Sequence, residues 1–482
     1  MFDGLFAFGH AIASFMTLES VFFALASCLV GVIIGALPGL TATMGVALMT
    51  TLTIKLPSNQ ALLILICTYV GAIYGGSRSA ILLNIPGTPA SAASCLDGYA
   101  LARQGHAGRA MGIATTGSVM GTLIGMFFLA WFTPLLGDLA LKFGAYEFFW
   151  LAVFGVIISA TLSGGDPLKG WISGITGLFI ATIGQDGIHA YERFSFDNRD
   201  LAGGFALVPA LVGAFGFAEV LVAMKERRPV PQINPFDTVI PKVMDVLRYW
   251  KTILRSGVIG TFIGIVPGVG EDVAAWSSYA AAKRASKEKE KFGKGSIDGL
   301  MAAETGDNAC VPGAIIPVLT LQVPGSAPAA VLMAAMLIHG VKPGPMIMIE
   351  SPQFVYDVVA MMLIATIGIF IYGLVLTKLL VQVLRVPTTI IVPMLFVLCV
   401  VGTYALSSRL FDVWTMLLFG VLGYVLRKYQ FPVAPMVLGI VLGDLLPFIS
   451  RPISAVLFAA IVITVILRIP KVRQWLKMDT AS

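Results

Sequence analysis

The chain has 482 residues, of which 57% are hydrophobic and 12% are charged, and its mean hydropathy is +0.89. Soluble domains carry about 25% charged residues, so a chain with so little charge could not cover a water-exposed surface. The composition excludes disordered, collagen-like, nucleic-acid-binding and disulfide-stapled proteins. It predicts a polytopic membrane protein that is surrounded by the lipid bilayer and has no nucleic-acid partner.

The apolar runs are unbroken, which favours α-helices over a β-barrel, whose segments alternate over about 10 residues. Ordinary transmembrane helices are predicted at about 110–135, 147–162, 169–184, 201–223, 354–380, 388–406, 412–426, 431–449 and 453–468. Four further apolar segments, about 18–56, 60–95, 253–283 and 300–338, are interrupted by proline and glycine. The length therefore fits an all-α membrane protein with about 10–12 transmembrane segments, some of them discontinuous or re-entrant.

The interrupted segments form two matched pairs. Residues 31–39 match residues 260–268 at an offset of 229 positions, and residues 85–90 match residues 323–328 at an offset of 238 positions. The larger second offset fits a basic insertion at 283–294. The two halves are therefore predicted to be copies of one ancestral unit.

These copies define the predicted domain organisation. Residues 1–224 form the first membrane repeat, residues 225–250 form a basic cytoplasmic linker, and residues 251–482 form the second membrane repeat. The first interrupted segment begins without positive charge, whereas its partner begins beside Lys251 and Arg255. Opposite charge signatures at matching positions predict inverted repeats, which are typical of secondary transporters.

The distribution of positive charge also predicts the orientation of the termini. Basic residues concentrate in the linker, in the insertion at 283–294 and in the C-terminal tail, so the positive-inside rule places these regions in the cytoplasm. No positive charge precedes Lys55, and no basic region or cleavage motif indicates a removable signal peptide. We therefore expect a periplasmic N-terminus and a cytoplasmic C-terminus.

Three of the four interruptions have the sequence of a helix N-terminus. Thr41 and Thr43 follow the first Pro-Gly pair, Thr88 follows the second, and Ser326 follows the last. Helix breaks in hydrocarbon persist only where they line a cavity, and a helix N-terminus offers free N–H groups and a positive dipole end to anions. These breaks therefore predict a carboxylate-binding cradle near the membrane midplane.

Polar residues at membrane depth beside the breaks are expected to complete this cradle. The predicted substrate-binding residues are Pro38, Gly39, Thr41, Thr43, Ser77, Arg78, Asn84, Pro86, Gly87, Thr88, Asn308, Pro324, Gly325 and Ser326. Glu304 and Asp307 lie at the same depth. The planar guanidinium of Arg78 could bind a carboxylate at two points, or it could snorkel to an interface or pair structurally with a protein carboxylate.

The third interruption differs, because Glu271 and Asp272 follow its Pro-Gly pair. Two carboxylates would repel an anionic substrate. They suit a coupling cation or a proton, or they simply compensate the dipole of a helix N-terminus at a cytoplasmic mouth.

The sequence contains no catalytic or metal-binding constellation. The five cysteines form no C-x-x-C pair, and the four histidines are dispersed. Asp357 and Asp444 resemble the paired aspartates of an intramembrane protease, but Val441 stands where its G-x-G-D motif requires glycine. We therefore expect neither an enzyme nor a cofactor.

Seven stretches together carry a family resemblance. They are GALPG at 35–39, YGGS at 74–77, LNIPGTP at 83–89, LDGY at 96–99, PGVGED at 267–272 with Trp276, ETGDN at 304–308, and IPVLTLQVPGS at 316–326. On these stretches the chain resembles the large membrane subunit of the tripartite tricarboxylate transporter family. The resemblance implies a permease subunit in the bacterial inner membrane that works with a periplasmic substrate-binding protein and a small four-helix membrane subunit.

The same resemblance implies uptake of a small carboxylate, driven by a Na⁺ or H⁺ gradient and not by ATP, and by analogy an elevator motion. Arg78 stands where the family pattern leads us to expect a small or apolar residue, and Gln322 stands where it leads us to expect glycine. Both neighbour the predicted site, so a dicarboxylate or an aromatic carboxylate could replace citrate as the substrate. The alternative function is a membrane sensor or scaffold that binds a carboxylate without transporting it.

Overall fold

The computed structural model describes residues 2–37, 40–144, 147, 150–151, 153–155, 157–158, 167–185, 192–225, 243–375 and 388–442. Within these ranges, six helices are long and apolar enough to cross a membrane: Leu18–Ala36, Ser58–Leu83, Ala102–Ala140, Leu207–Lys225, Gln353–Val375 and Leu410–Lys428. The described chain is almost entirely helical. The prediction of an all-α polytopic membrane protein is therefore confirmed.

The helices of the first half are α1 (Phe2–Phe15), α2 (Leu18–Ala36), α3 (Ala42–Thr53), α4 (Ser58–Leu83), α5 (Ala92–Ser94), α6 (Ala107–Ala140), α7 (Pro167–Ala181), α8 (Arg199–Ala202), α9 (Leu207–Leu211) and α10 (Ala218–Lys225). A 3-10 turn (Pro89–Ser91), three π-helical segments (Cys95–Tyr99, Ala102–His106, Val212–Phe217) and an antiparallel pair, β1 (Gly184–Gln185) with β2 (Glu192–Arg193), complete it.

The helices of the second half are α11 (Val243–Arg248), α12 (Trp250–Ile265), α13 (Gly270–Ala285), α14 (Ile297–Leu321), α15 (Ala327–Ile338), α16 (Ile347–Glu350), α17 (Gln353–Val375), α18 (Thr388–Ser407), α19 (Leu410–Lys428) and α20 (Val433–Leu442), with a 3-10 turn at Lys289–Lys291. The predicted span at 453–468, half of the span at 147–162, the ends 376–380 and 443–449 of two other predicted spans, most of the basic linker and the C-terminal tail lie outside the described residues.

The two halves repeat one local architecture. In each half an apolar helix (α2 or α12) is followed by a break, a second helix (α3 or α13) and a long buried helix (α4 or α14). Both long helices end at a residue in the left-handed region, Asn84 and Gln322, each with φ of 56°. The chain reverses direction at these residues, and a Pro-Gly pair follows two residues later. Proline has no backbone N–H to donate within a helix, so it helps to prevent the long helix from continuing.

The glycine of each of these Pro-Gly pairs packs directly on a backbone. A Cβ built on Gly87 would lie 2.0 Å from the carbonyl oxygen of Gly35, and one built on Gly325 would lie 2.0 Å from that of Gly264. The N–H groups of both glycines donate to a carbonyl of the preceding long helix, at 3.2 and 3.3 Å. Equivalent positions of the two halves therefore make equivalent contacts, as expected for copies of one unit.

The halves share one core. Helix α6 of the first half packs along α14 of the second half, and Gly121 allows this approach because a Cβ there would lie 2.3 Å from the Thr305 carbonyl oxygen. At the end of the linker, Asp245 accepts two hydrogen bonds from the guanidinium of Arg109 at the start of α6. An uninterrupted helix of the first half is therefore held against an interrupted segment of the second half.

Candidate functional site

Residues from both halves surround a cavity of about 530 Å³. The segments that flank the breaks contribute Thr41, Ala42, Thr43, the stretch 86–90, the stretch 268–272, Ala327 and Pro328. Ile73, Phe215, Glu219, Arg427 and the stretch 431–434 form the remaining wall. Pro38 and Gly39 lie outside the described residues. Described residues adjoining all four interruptions thus meet at one cavity.

Two helices begin at this cavity with a capping hydroxyl. The Thr41 side chain accepts a hydrogen bond from the N–H of Met44 (3.2 Å) at the start of α3. The Ser326 side chain accepts one from the N–H of Ala329 (3.4 Å) at the start of α15. A helix N-terminus carries a partial positive charge of about +0.5, so both helix starts favour an anion in the cavity.

The break at Thr88 has a different local structure. Pro86, Gly87 and Thr88 line the cavity, but a 3-10 turn and two further short helical segments follow instead of one regular helix. The N–H of Thr88 donates to Ser91 Oγ (3.2 Å), and the Ser91 hydroxyl donates to the Thr88 carbonyl oxygen (2.8 Å). This break therefore shapes the cavity wall, while its capping groups are already occupied.

A tyrosine that the sequence analysis did not identify connects the two halves beside the cavity. Tyr69 of α4 is fully buried, and its hydroxyl donates a hydrogen bond to the carboxylate of Glu271. The same hydroxyl lies 2.7 Å from Ser326 Oγ. The carboxylate of Glu271 is thus hydrogen-bonded within the protein, so its charge is partly compensated. Only the fold could reveal this contact, because Tyr69 lies 202 positions from Glu271 in an ordinary apolar run.

The third and fourth breaks are joined through their backbones. The N–H of Gly268 donates to the Pro324 carbonyl oxygen (3.2 Å), and the N–H of Gly270 donates to that of Gly325 (3.3 Å). Pro324 and Gly325 lie behind the cavity wall, which Gly268 and Gly270 line. The carboxylate residues Glu271 and Asp272 are consequently held at the cavity by the first turn of α13.

Arg78 does not line the cavity, and neither do Ser77, Asn84 and Asn308. The guanidinium of Arg78 is fully buried and stacks 4.0 Å from the ring centroid of Tyr74. It donates to the Met111 carbonyl oxygen (3.2 Å) and to Thr115 Oγ1 (3.3 Å). This environment matches the structural-pairing alternative for Arg78 more closely than a substrate clamp.

The cationic side chain in the described cavity wall is Arg427, in the last turn of α19. It forms an ion pair with Glu219, which also lines the cavity. A basic residue is favourable at the C-terminal end of a helix, but no sequence motif linked this end to the breaks.

A buried polar group lies on α14. Glu304 accepts hydrogen bonds from Ser94 Oγ (2.5 Å) and Ser118 Oγ (2.9 Å), and it interacts electrostatically with Arg78. Asp307 and Asn308 follow on the next turn and are also buried. In the part of the chain that the structure describes, no group of three or more His, Cys, Asp and Glu residues could hold a metal ion.

The structure thus defines a multi-pass α-helical membrane protein whose interrupted segments meet at one cavity. The sequence profile of the tripartite tricarboxylate transporter TctA family matches residues 21–438. The chain therefore belongs to this family, and it is a transporter component and not an enzyme.

Two proteins of Agrobacterium vitis are similar to the chain. One, described as an uncharacterized 52.8 kDa protein in the TAR-I ttuC' 3' region, is 34% identical over 464 residues and matches over 92% of each chain. The other, described as an uncharacterized protein in the TAR-II ttuC' 3' region, is 32% identical over 231 residues, which are 44% of this chain and 96% of the relative. No solved structure matches the chain.

Proposed function

We propose that the chain is the large permease subunit of a binding-protein-dependent secondary transporter that takes up tricarboxylates or other small carboxylates. The observation that carries this proposal is the meeting of residues from all four helix interruptions at one cavity of about 530 Å³. This volume lies within the range of about 300–1,000 Å³ that is common for small-molecule sites. Broken helices that surround a cavity are typical of secondary transporters.

The cavity wall contains the groups that a carboxylate requires. The N-termini of α3 and α15 provide positive dipole ends, and Arg427 provides a planar cation. Arg427 is paired with Glu219 in the described state, so a substrate carboxylate would replace Glu219 as its partner. Arginine binds carboxylates at two points, which gives orientation as well as affinity.

The remaining parts of the proposal follow from family membership and from the two matching halves. The subunit works in the bacterial inner membrane with a periplasmic substrate-binding protein and a small four-helix membrane subunit. A Na⁺ or H⁺ gradient drives uptake, and the two inverted repeats support an elevator-type motion. The N-terminus lies in the periplasm and the C-terminus in the cytoplasm.

The first test is uptake by proteoliposomes that contain this chain and the small subunit, with the binding protein outside. Labelled citrate and a panel of dicarboxylates are offered in sodium or choline buffer, with and without a protonophore. Accumulation that requires all three proteins and collapses with one gradient supports the proposal. No accumulation of any carboxylate by the complete system would contradict it. Saturable binding without substrate counterflow would favour a carboxylate-binding sensor.

The second test addresses the cavity. Arg427→Gln is expected to raise the KM for the carboxylate about 10- to 150-fold, because hydrogen bonds to charged groups contribute about 1.5–3 kcal/mol. Lys428→Gln is the matched control, because it removes the same charge from the neighbouring residue. Lys428 is exposed and does not line the cavity. The double variant Arg427→Gln/Glu219→Gln leaves no unpaired carboxylate at position 219. A raised KM in this variant would therefore show that the loss of Arg427, and not an unpaired Glu219, causes the effect. Equal KM values for the Arg427 and Lys428 variants would place the substrate elsewhere.

A further inference from the structure

The middle of α14 carries two carboxylates and an amide that the surrounding helices enclose almost completely. Glu304, Asp307 and Asn308 are each at most 1% exposed. An ionised carboxylate in such surroundings is costly unless hydrogen bonds or an opposite charge compensate it. The compensation available to each residue therefore decides its charge state.

The compensation is unequal. Glu304 accepts hydrogen bonds from two serine hydroxyls and interacts with Arg78. In the described part of the chain, neither carboxylate oxygen of Asp307 has a hydrogen-bond partner. The amide oxygen of Asn308 also has none, whereas its amide nitrogen donates to the Glu304 carbonyl oxygen (3.0 Å). Three buried oxygens on adjacent residues thus have no hydrogen-bond donor.

The charges around Asp307 add to this imbalance. Asp307 interacts electrostatically with Glu304 on its own helix and with Glu271 and Asp272 at the start of α13. The thiol of Cys310, one turn further along α14, also interacts with it. The positive charge of Arg78 on α4 interacts electrostatically with Glu304. Asp307 is therefore a carboxylate among carboxylates, and a small cation is the species that would stabilise it.

We propose that Asp307 binds the cation whose gradient drives transport. This inference rests on the proposed function. A carboxylate suits a hard cation such as Na⁺, and a proton on Asp307 would neutralise the same charge. Glu271 and Asp272 line the cavity and interact with Asp307, so occupancy of this site changes the potential that a substrate anion experiences.

The test compares Asp307→Asn with the wild type in the reconstituted three-protein system. Transfer of one elementary charge across 100 mV corresponds to about 2.3 kcal/mol, so the loss of one coupled cation lowers the accumulation ratio about 50-fold. Asp307→Asn is expected to show this 50-fold lower accumulation ratio. Substrate counterflow needs no net cation movement and is expected to be retained. Asp412→Asn is the matched control, because Asp412 is also a buried membrane-helix carboxylate but accepts a hydrogen bond from Ser407.

Cation binding is measured separately on the purified chain with its small subunit. At constant ionic strength, replacement of choline by sodium is expected to raise the Tm of the wild type and of Asp412→Asn but not that of Asp307→Asn, since a ligand stabilises the state that binds it. If the cation is a proton, the sodium effect is absent throughout, and the pH dependence of Tm changes only in Asp307→Asn.

The outcomes separate the two proposals. Wild-type accumulation with unaltered ion dependence in Asp307→Asn would overturn the inference and leave the proposed function in place. An inactive wild type would overturn the proposed function, and the thermal measurements would still decide whether Asp307 binds a cation. Identical sodium and pH effects on Tm in all three proteins would exclude cation binding by Asp307.

Discussion

Asp97 of the first half accepts hydrogen bonds from the loop at the end of the basic insertion in the second half. Removal of its side chain should allow that loop to open. The side chain is fully buried, and its Oδ1 accepts hydrogen bonds from the N–H groups of Gly293 (2.8 Å), Gly295 (2.9 Å) and Ser296 (2.7 Å). Its Oδ2 accepts one from the Tyr279 hydroxyl (2.9 Å). One carboxylate therefore satisfies three backbone donors at the end of the basic insertion and one hydroxyl donor on α13.

The size of the effect follows from these four contacts. A hydrogen bond to a charged group contributes about 1.5–3 kcal/mol, but bonds that share one acceptor are not additive. We therefore expect Asp97→Ala to lower the free energy of local opening by about 3–4 kcal/mol. Asp97→Asn keeps one oxygen acceptor and should lose about 1.5 kcal/mol. Since 1.36 kcal/mol is a factor of ten, the open population rises about 10²- to 10³-fold in the first variant and about tenfold in the second.

Limited proteolysis in nanodiscs measures this opening, because the insertion carries several lysines that trypsin recognises. When opening is fast relative to cleavage, the cleavage rate follows the population of the open form. Glu290→Gln is the control, since Glu290 lies in the same insertion and is exposed. Cleavage of Asp97→Ala within twofold of the control would refute the reasoning that Asp97 anchors this loop.

Three further variants test other parts of the structure. Tyr69→Phe removes a donor from the buried Glu271 carboxylate and should lower kcat/KM for uptake about tenfold, because such a hydrogen bond contributes about 1.5 kcal/mol or more; kinetics equal to the wild type at matched expression would contradict this. Gln322→Gly should raise stability by about 1 kcal/mol, measured as a higher Tm in detergent, because φ at Gln322 is 56° and side chains other than glycine are strained there. Asn84→Gly should gain less, since asparagine tolerates this region, and a larger gain at Asn84 would exclude backbone strain as the cause.

Much of the fold was predictable because apolar length and helix signals are local properties. The spans predicted at 110–135, 354–380 and 412–426 correspond to α6, α17 and α19, and Asn84 and Gln322 lie where the chain reverses. Glycine was a weaker signal: Gly75 and Gly76 lie inside α4 without interrupting it. Packing explains the difference, because a Cβ on Gly75 would lie 2.3 Å from the Val32 carbonyl oxygen, so this glycine permits a helix contact.

The candidate site was predictable only where it coincides with a helix break. Thr41, Thr88 and the start of α15 carry capping signals in their own sequence, and residues at these breaks line the cavity. Tyr69, Glu219 and Arg427 lie in regular helices far from the breaks along the chain. No periodicity distinguishes a buried tyrosine that supports a site from one that fills a core, so tertiary packing alone assigns these residues.

The charges in the cavity wall and on the neighbouring helices do not cancel. Arg78 is enclosed next to Glu304, and Arg427 is paired with Glu219, so each of these two arginines already compensates one acid. Glu271, Asp272 and Asp307 remain, and the described residues around them add no further cation to the charges that act on Asp307. An anionic substrate that entered this field alone would be repelled. Under the proposed function, cation binding must therefore precede or accompany substrate binding, and this requirement couples the two physically.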